Sequence, residues 1–170
     1  MNKEASTVTD MLSDAAPTAC CFTGHRAIPE GELKGLKKRL KAKITELAER
    51  GCLTFFAGGA LGFDTLAAET VLSLKKKYPL RLCLLLPCRD QAKNWDEQDL
   101  IRYHKILKKA DEVTYLSEHY TKFCMHVRNR ALVDASNVCI AYMTDASRGG
   151  TAYTVKYAEK KGLPVYHLAE

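Results

Sequence analysis

The chain has 170 residues, 46% apolar and 27% charged, with 26 Lys and Arg against 20 Asp and Glu for a net charge of +6. That length suits one domain whose core needs no crosslinks, and with no run of 18 apolar residues and no apolar h-region before Pro17, neither a membrane span nor a signal peptide is expected and the protein reads as cytoplasmic. Seven cysteines without a C-x-x-C pair and five histidines without metal spacing point to a reducing compartment and away from disulfides or a structural metal, and no cofactor is expected. The lysines are spread over several predicted helices as solvated faces, so the positive charge permits a polyanion partner without demanding one.

Residues 1–17 are small, polar and without period, which predicts a flexible leader ahead of a single domain over residues 18–170. A first strand is expected at 19–22, ending in Thr23-Gly24-His25-Arg26. Pro29 then opens a helix whose stripe is Leu33, Leu36, Leu40, Ile44 and Leu47, and Gly51 stops it. The run 53–56 is a second strand, followed by the glycine turn 57–64 and a helix beginning near Phe63 that breaks at Tyr78-Pro79. The almost wholly apolar 80–86 reads as a parallel strand buried on both faces, and 96–109 as a helix. A fourth strand at 113–116 leads through polar residues 117–121 into a helix holding Arg128, Asn129 and Arg130. A fifth strand at 138–143, a second glycine turn at 145–151, a helix over 152–161 and a sixth strand at 164–168 complete the chain. Strands alternating with helices predict an α/β, Rossmann-like, doubly wound and mostly parallel sheet of about six strands with helices on both faces. The order 3-2-1-4-5-6 brings the turns after strands one, two, four and five to one crevice at the strand carboxyl ends.

Those turns hold the candidate ligand-binding residues. Gly58, Gly59 and Gly62 allow positive φ and close backbone approach ahead of a helix whose positive end favours an anion, although a tight connector uses glycine too. Thr23, Gly24, His25 and Arg26 offer a hydroxyl, a bare backbone and two cations at a strand end; a capped bend with a solvated arginine is the plainer account. Asp64 can accept ribose hydroxyls or cap its helix. Arg128, beside Asn129, can grip a phosphate with its fork or form a surface ion pair. An arginine held for an anion leaves the empty protein's midpoint unchanged or slightly raised when removed. Gly149, Gly150 and Thr151 repeat the glycine-turn logic, with Thr151 expected as the N-cap. Trp95 is placed either against a base or in the core.

Taken together, TGHR, GGALGFDTLAAE, PCRDQAKNW, ADEVTYLSEHY, RNRALVDASNVCIAY and GGTAYTVKYAEKKG, spanning Cys20 to His167, resemble the YpsA-like family of the SLOG superfamily of Rossmann-like proteins. The resemblance implies a nucleotide or nucleotide-derivative ligand at the strand carboxyl ends. Two relatives imply different activities. The Lonely guy phosphoribohydrolases carry an arginine in a segment similar to Met125-His126-Val127-Arg128, then P-G-G-x-G-T-x-x-E with a catalytic glutamate. Here that position is Thr154, which cannot serve as a carboxylate acid or base, leaving Asp64 or Glu69 as substitutes; a catalytic residue is not assigned and hydrolysis ranks third. The DNA-processing protein A family, with segments similar to GGALGFD and RNRALVDAS, implies single-stranded nucleic acid and ranks second. A small nucleotide-like or ADP-ribose-like ligand ranks first, in a sensor that signals to a protein partner and pairs with a second copy through helices beside the site.

Overall fold

A computed structural model describes residues 17–170; the leader expected over residues 1–17 falls, Pro17 apart, outside them. Strands and helices alternate: β1 (Ala19–Gly24), α1 (Glu30–Glu49), β2 (Thr54–Ala57), α2 (Phe63–Leu74), β3 (Arg81–Leu86), α3 (Glu97–Lys109), β4 (Glu112–Tyr115), α4 (Cys124–Asp134), β5 (Val138–Tyr142), α5 (Gly150–Lys160) and β6 (Val165–His167). Neighbouring strands all pair in parallel in the order β4-β3-β2-β1-β5-β6. The α/β, Rossmann-like sheet that the alternation predicts is the one that forms.

The strand order corrects the expected 3-2-1-4-5-6. Strand β4 lies outside β3, and β5, not β4, takes the place beside β1. The residues explain why. Strand β4 opens on the exposed Glu112 and none of its residues is fully buried, as suits a sheet edge, whereas β5 (VCIAY) is buried at every position, as suits a centre. The chain therefore crosses to the second half of the sheet after β4, and α4 is the helix that carries it across.

Successive strand side chains point to opposite faces, so each strand feeds two cores. Cys20 and Phe22 join Phe55, Leu82 and Leu84 beneath α1, α2 and α3. Cys21 and Cys139 meet Leu132, Val133 and Ala158 beneath α4 and α5. All seven cysteines are free and buried, serving as small apolar filler. Phe22 stacks on Phe55 at 5.8 Å and meets Phe63 edge-on at 6.4 Å, tying β1 to the start of α2.

The helix ends follow local chemistry. Helix α1 buries Leu36, Leu40, Ile44 and Leu47 and ends at Gly51, whose φ of +97° lets Gly51 N–H reach Ala48 O at 3.0 Å and Cys52 N–H reach Leu47 O at 2.9 Å. Helix α3 starts behind Asp96, whose carboxylate accepts from Asp99 N–H at 2.8 Å. Trp95 is partly buried and packs edge-on against Tyr103 at 5.1 Å, at the margin of the core. Among the described residues no helix is long and apolar enough to cross a membrane.

Candidate functional site

The connections leaving β1 and β5 run to opposite faces of the sheet, so the two adjacent strand ends part and leave an opening between them. A cavity of about 410 Å³ lies there, walled by the β1 turn, the first turn of α2, one face of α4 and the start of α5. Nine of the thirteen residues expected at the site line it: Thr23, Gly24, His25, Arg26, Asp64, Arg128, Asn129, Gly150 and Thr151.

The β1 turn is pinned by three hydrogen bonds through His25. Its N–H donates to Tyr142 O (3.2 Å), its carbonyl accepts from Phe63 N–H (3.1 Å) and its Nε2 accepts from Thr144 N–H (2.8 Å). These bonds fasten the turn to β5 and α2. Arg26 beside it is exposed and, among the described residues, its side chain makes no salt bridge or hydrogen bond; it is the free cation of this wall.

Glycines at 58, 59, 62 and 149 do not line the cavity, and the first three owe their identity to packing. A Cβ on Gly62, at φ +76°, would sit 2.1 Å from Arg26 O, and one on Gly58 would sit 2.5 Å from Arg128 Nη1. Gly59 packs in the same way against Leu86, and Gly24 against the Phe63 ring. The central glycine turn thus brings the β1 turn and α4 against the start of α2, whose Phe63 N–H is already taken by His25 O. The helix start that faces the cavity is that of α5. Gly149 is its N-cap at φ +97° and no side chain caps it, which corrects the expectation that Thr151 does so; Thr151 lies one residue inside the helix.

Helix α4 presents Met125, Arg128, Asn129 and Leu132, at i, i+3, i+4 and i+7, to the cavity. Arg128 is 5% exposed. Its Nη1 donates to Gly58 O, its Nε to Asn129 Oδ1 at 2.8 Å and its Nη2 to Met125 Sδ at 3.8 Å. A guanidinium has five N–H donors, so these three bonds leave it capacity for a further acceptor. The expectation that Arg128 is no asset to the empty fold is corrected here, because it ties α4 to the β2–α2 turn. Burial pulls its proton affinity down, and Asp64 nearby counters that.

Asp64, 6% exposed, neither caps α2 nor pairs with Arg128 within 4 Å; its Oδ2 accepts from Ala60 N–H at 3.2 Å. Burial pushes its carboxyl above the usual carboxylate range, and Arg128, the Ala60 N–H and Arg26 draw it back only in part. Thr154 is wholly buried, and its hydroxyl donates to Gly150 O at 2.8 Å, outside the cavity. Glu69 is held by Arg102 of α3 at 2.9 Å, away from the opening. Asp64 is the one carboxylate among the described residues that line the cavity.

Phe22, Ala60, Met125, His126 and Leu132 also line the cavity and were not expected there. The helical stripe through Arg128 and Asn129 was the signal that could have found Met125 and Leu132. His126 stands at the rim, edge-on to Tyr153 at 4.6 Å.

The family model of the YspA SLOG family matches residues 21–167. The chain belongs to the YspA SLOG family. Relatives of this SLOG protein include a UPF0398 protein of Bacillus cereus (strain G9842), 30% identical over an alignment of 156 positions that covers 85% of each chain. A UPF0398 protein of Bacillus thuringiensis (strain Al Hakam) is 29% identical over an alignment of the same length, again covering 85% of each chain. Among solved structures it resembles DNA processing protein A from Helicobacter pylori, described for its single-stranded DNA binding mode, with a TM-score of 0.64 and 22% identity over 94% of this chain and 67% of that one. It also resembles TM1055, with a TM-score of 0.55 and 17% identity over 87% of this chain and 72% of the other. At such identities the likeness is one of fold, and the SLOG protein's own side chains carry the argument about its site.

Proposed function

We propose that this SLOG protein binds a nucleotide or nucleotide derivative by its phosphate in the cavity between the β1 turn, α4 and α5, as a ligand sensor. One observation carries the reading. Of the six buried polar or charged side chains among the described residues, five (Thr23, Asp64, Arg128, Asn129 and Thr151) line this cavity. None of these groups is sealed off without a partner, so their free donors and acceptors open on the cavity and offer a polar ligand several hydrogen-bond partners at one place. Arg26 and Arg128 supply the positive charge, and the uncapped start of α5 at Gly150 and Thr151 adds oriented amides. Thermal unfolding and titration calorimetry with inorganic phosphate, AMP and ADP-ribose test this. At a hundredfold excess over its dissociation constant a ligand adds about 2.7 kcal/mol, a rise of roughly 5–10 °C; a panel that moves the midpoint by less than a degree removes the proposal.

Single-stranded nucleic acid is the second reading. Tyr120 and Phe123 are 63% and 62% exposed at the entry to α4, with the exposed Lys122 between them, a combination that can stack bases beside a phosphate contact. The named activity of the Helicobacter pylori neighbour points the same way.

A further inference from the structure

Resting on that reading of the cavity, we infer that Asp64 selects a ribose over a deoxyribose, so that the ligand is a ribonucleotide derivative held by its 2′-hydroxyl as well as its phosphate. The Asp64 carboxylate lines the cavity from the first turn of α2, and among the described residues only Oδ2 has a partner, the Ala60 N–H. Its Oδ1 bonds nothing among the described residues, yet no buried side-chain oxygen or nitrogen among them is sealed off without a partner. Oδ1 therefore opens on the cavity. A phosphate cannot rest against it, since two anions in a site of low dielectric repel strongly, so the group that meets Oδ1 must be a hydrogen donor.

The cations and amides at Arg26, Gly150 and Thr151 hold the opposite requirement, for an anion, within the same 410 Å³ or so. A ligand that meets both needs carries a donor a few bonds from a phosphate. The sugar hydroxyls of a ribose phosphate have that relation, and a deoxyribose lacks one of them. A buried acceptor left without its donor penalises the analogue heavily, because the lost bond is not replaced by water.

Calorimetry of the full chain with inorganic phosphate, ribose 5-phosphate and 2-deoxyribose 5-phosphate reads this directly. Ribose 5-phosphate is expected to bind about tenfold or more tighter than its deoxy analogue, the ratio set by one hydrogen bond to a charged acceptor. In Asp64→Asn that ratio falls to about one. Equal binding of the two sugars by the wild type overturns the inference and leaves the phosphate site standing. Failure of all three probes, inorganic phosphate included, overturns both. Should Asp64→Asn not fold, the wild-type ratio alone still decides.

Discussion

At the scale of single residues, the two arginines of the cavity divide the work of binding and of folding. Arg26 is exposed and, among the described residues, unpartnered, so Arg26→Ala is expected to weaken a phosphate ligand about tenfold, the loss of one charged hydrogen bond, and to leave the unliganded midpoint within about a degree. Arg128→Ala is expected to lower both, with the fold losing about 2–4 kcal/mol because Gly58 O and the buried Asp64 lose their cationic neighbour. Paired thermal and binding measurements separate the two. Asp64 adds a pH test. Its folded pKa lies above the unfolded value, so the stability it contributes is present below the ordinary aspartate pKa and is lost as pH rises through the folded one. Asp64→Asn, which keeps an acceptor for Ala60 N–H, is expected to match the wild type near pH 3.5 and to exceed it in urea midpoint at pH 7; a variant weaker than wild type at pH 7 contradicts this. Thr23 and Arg26 at the end of β1 were legible in the sequence as cavity-lining residues because they exceed what a turn needs, and Asp64 and Arg128 because they stand early in helices that follow strands. The role of Arg128 in the empty fold was not, since its partner Gly58 is distant in sequence and carries no side chain to signal the contact.

At the scale of elements, the glycine turn between β2 and α2 acts as a packing device for the site. Gly62→Ala places a Cβ 2.1 Å from Arg26 O at a φ of +76°. It is expected to cost about 3 kcal/mol or more, combining left-handed strain with overpacking, and to lower the midpoint by roughly 6–12 °C. In the first turn of α1, a methyl group added to Gly31 would meet nothing within 4 Å, so Gly31→Ala is expected to stabilise by about 0.5–1 kcal/mol. Differential scanning calorimetry of the pair checks both signs. The glycines announced a turn correctly but left two purposes open, anion contact and close packing, and only the neighbours brought by β1 and α4 distinguish them. The edge position of β4 was within reach of the sequence, since Glu112 and Thr114 interrupt its apolar pattern while Val138 to Tyr142 have no interruption.

At the scale of the whole molecule, the net charge of +6 makes salt the discriminator between the two binding readings. A mononucleotide is expected to show a shallow dependence of log affinity on log salt, whereas a single strand gripped at several phosphates falls with a slope near 0.7 per contact; tight oligonucleotide binding at about 0.15 M salt would favour the second reading. The same architecture that gathers the site also orders its making. Cys20 in β1 pairs with Val138 in β5, so a ribosome has released most of the chain before the inner edge of β1 finds its partner. Until then the nascent sheet ends in an open, uncharged rim, ACCFTG, able to recruit a stranger's strand. Chains cut short before β5 are therefore the ones expected to accumulate as insoluble aggregates, and the cavity, walled in part by the start of α5, is completed only after that rim has closed.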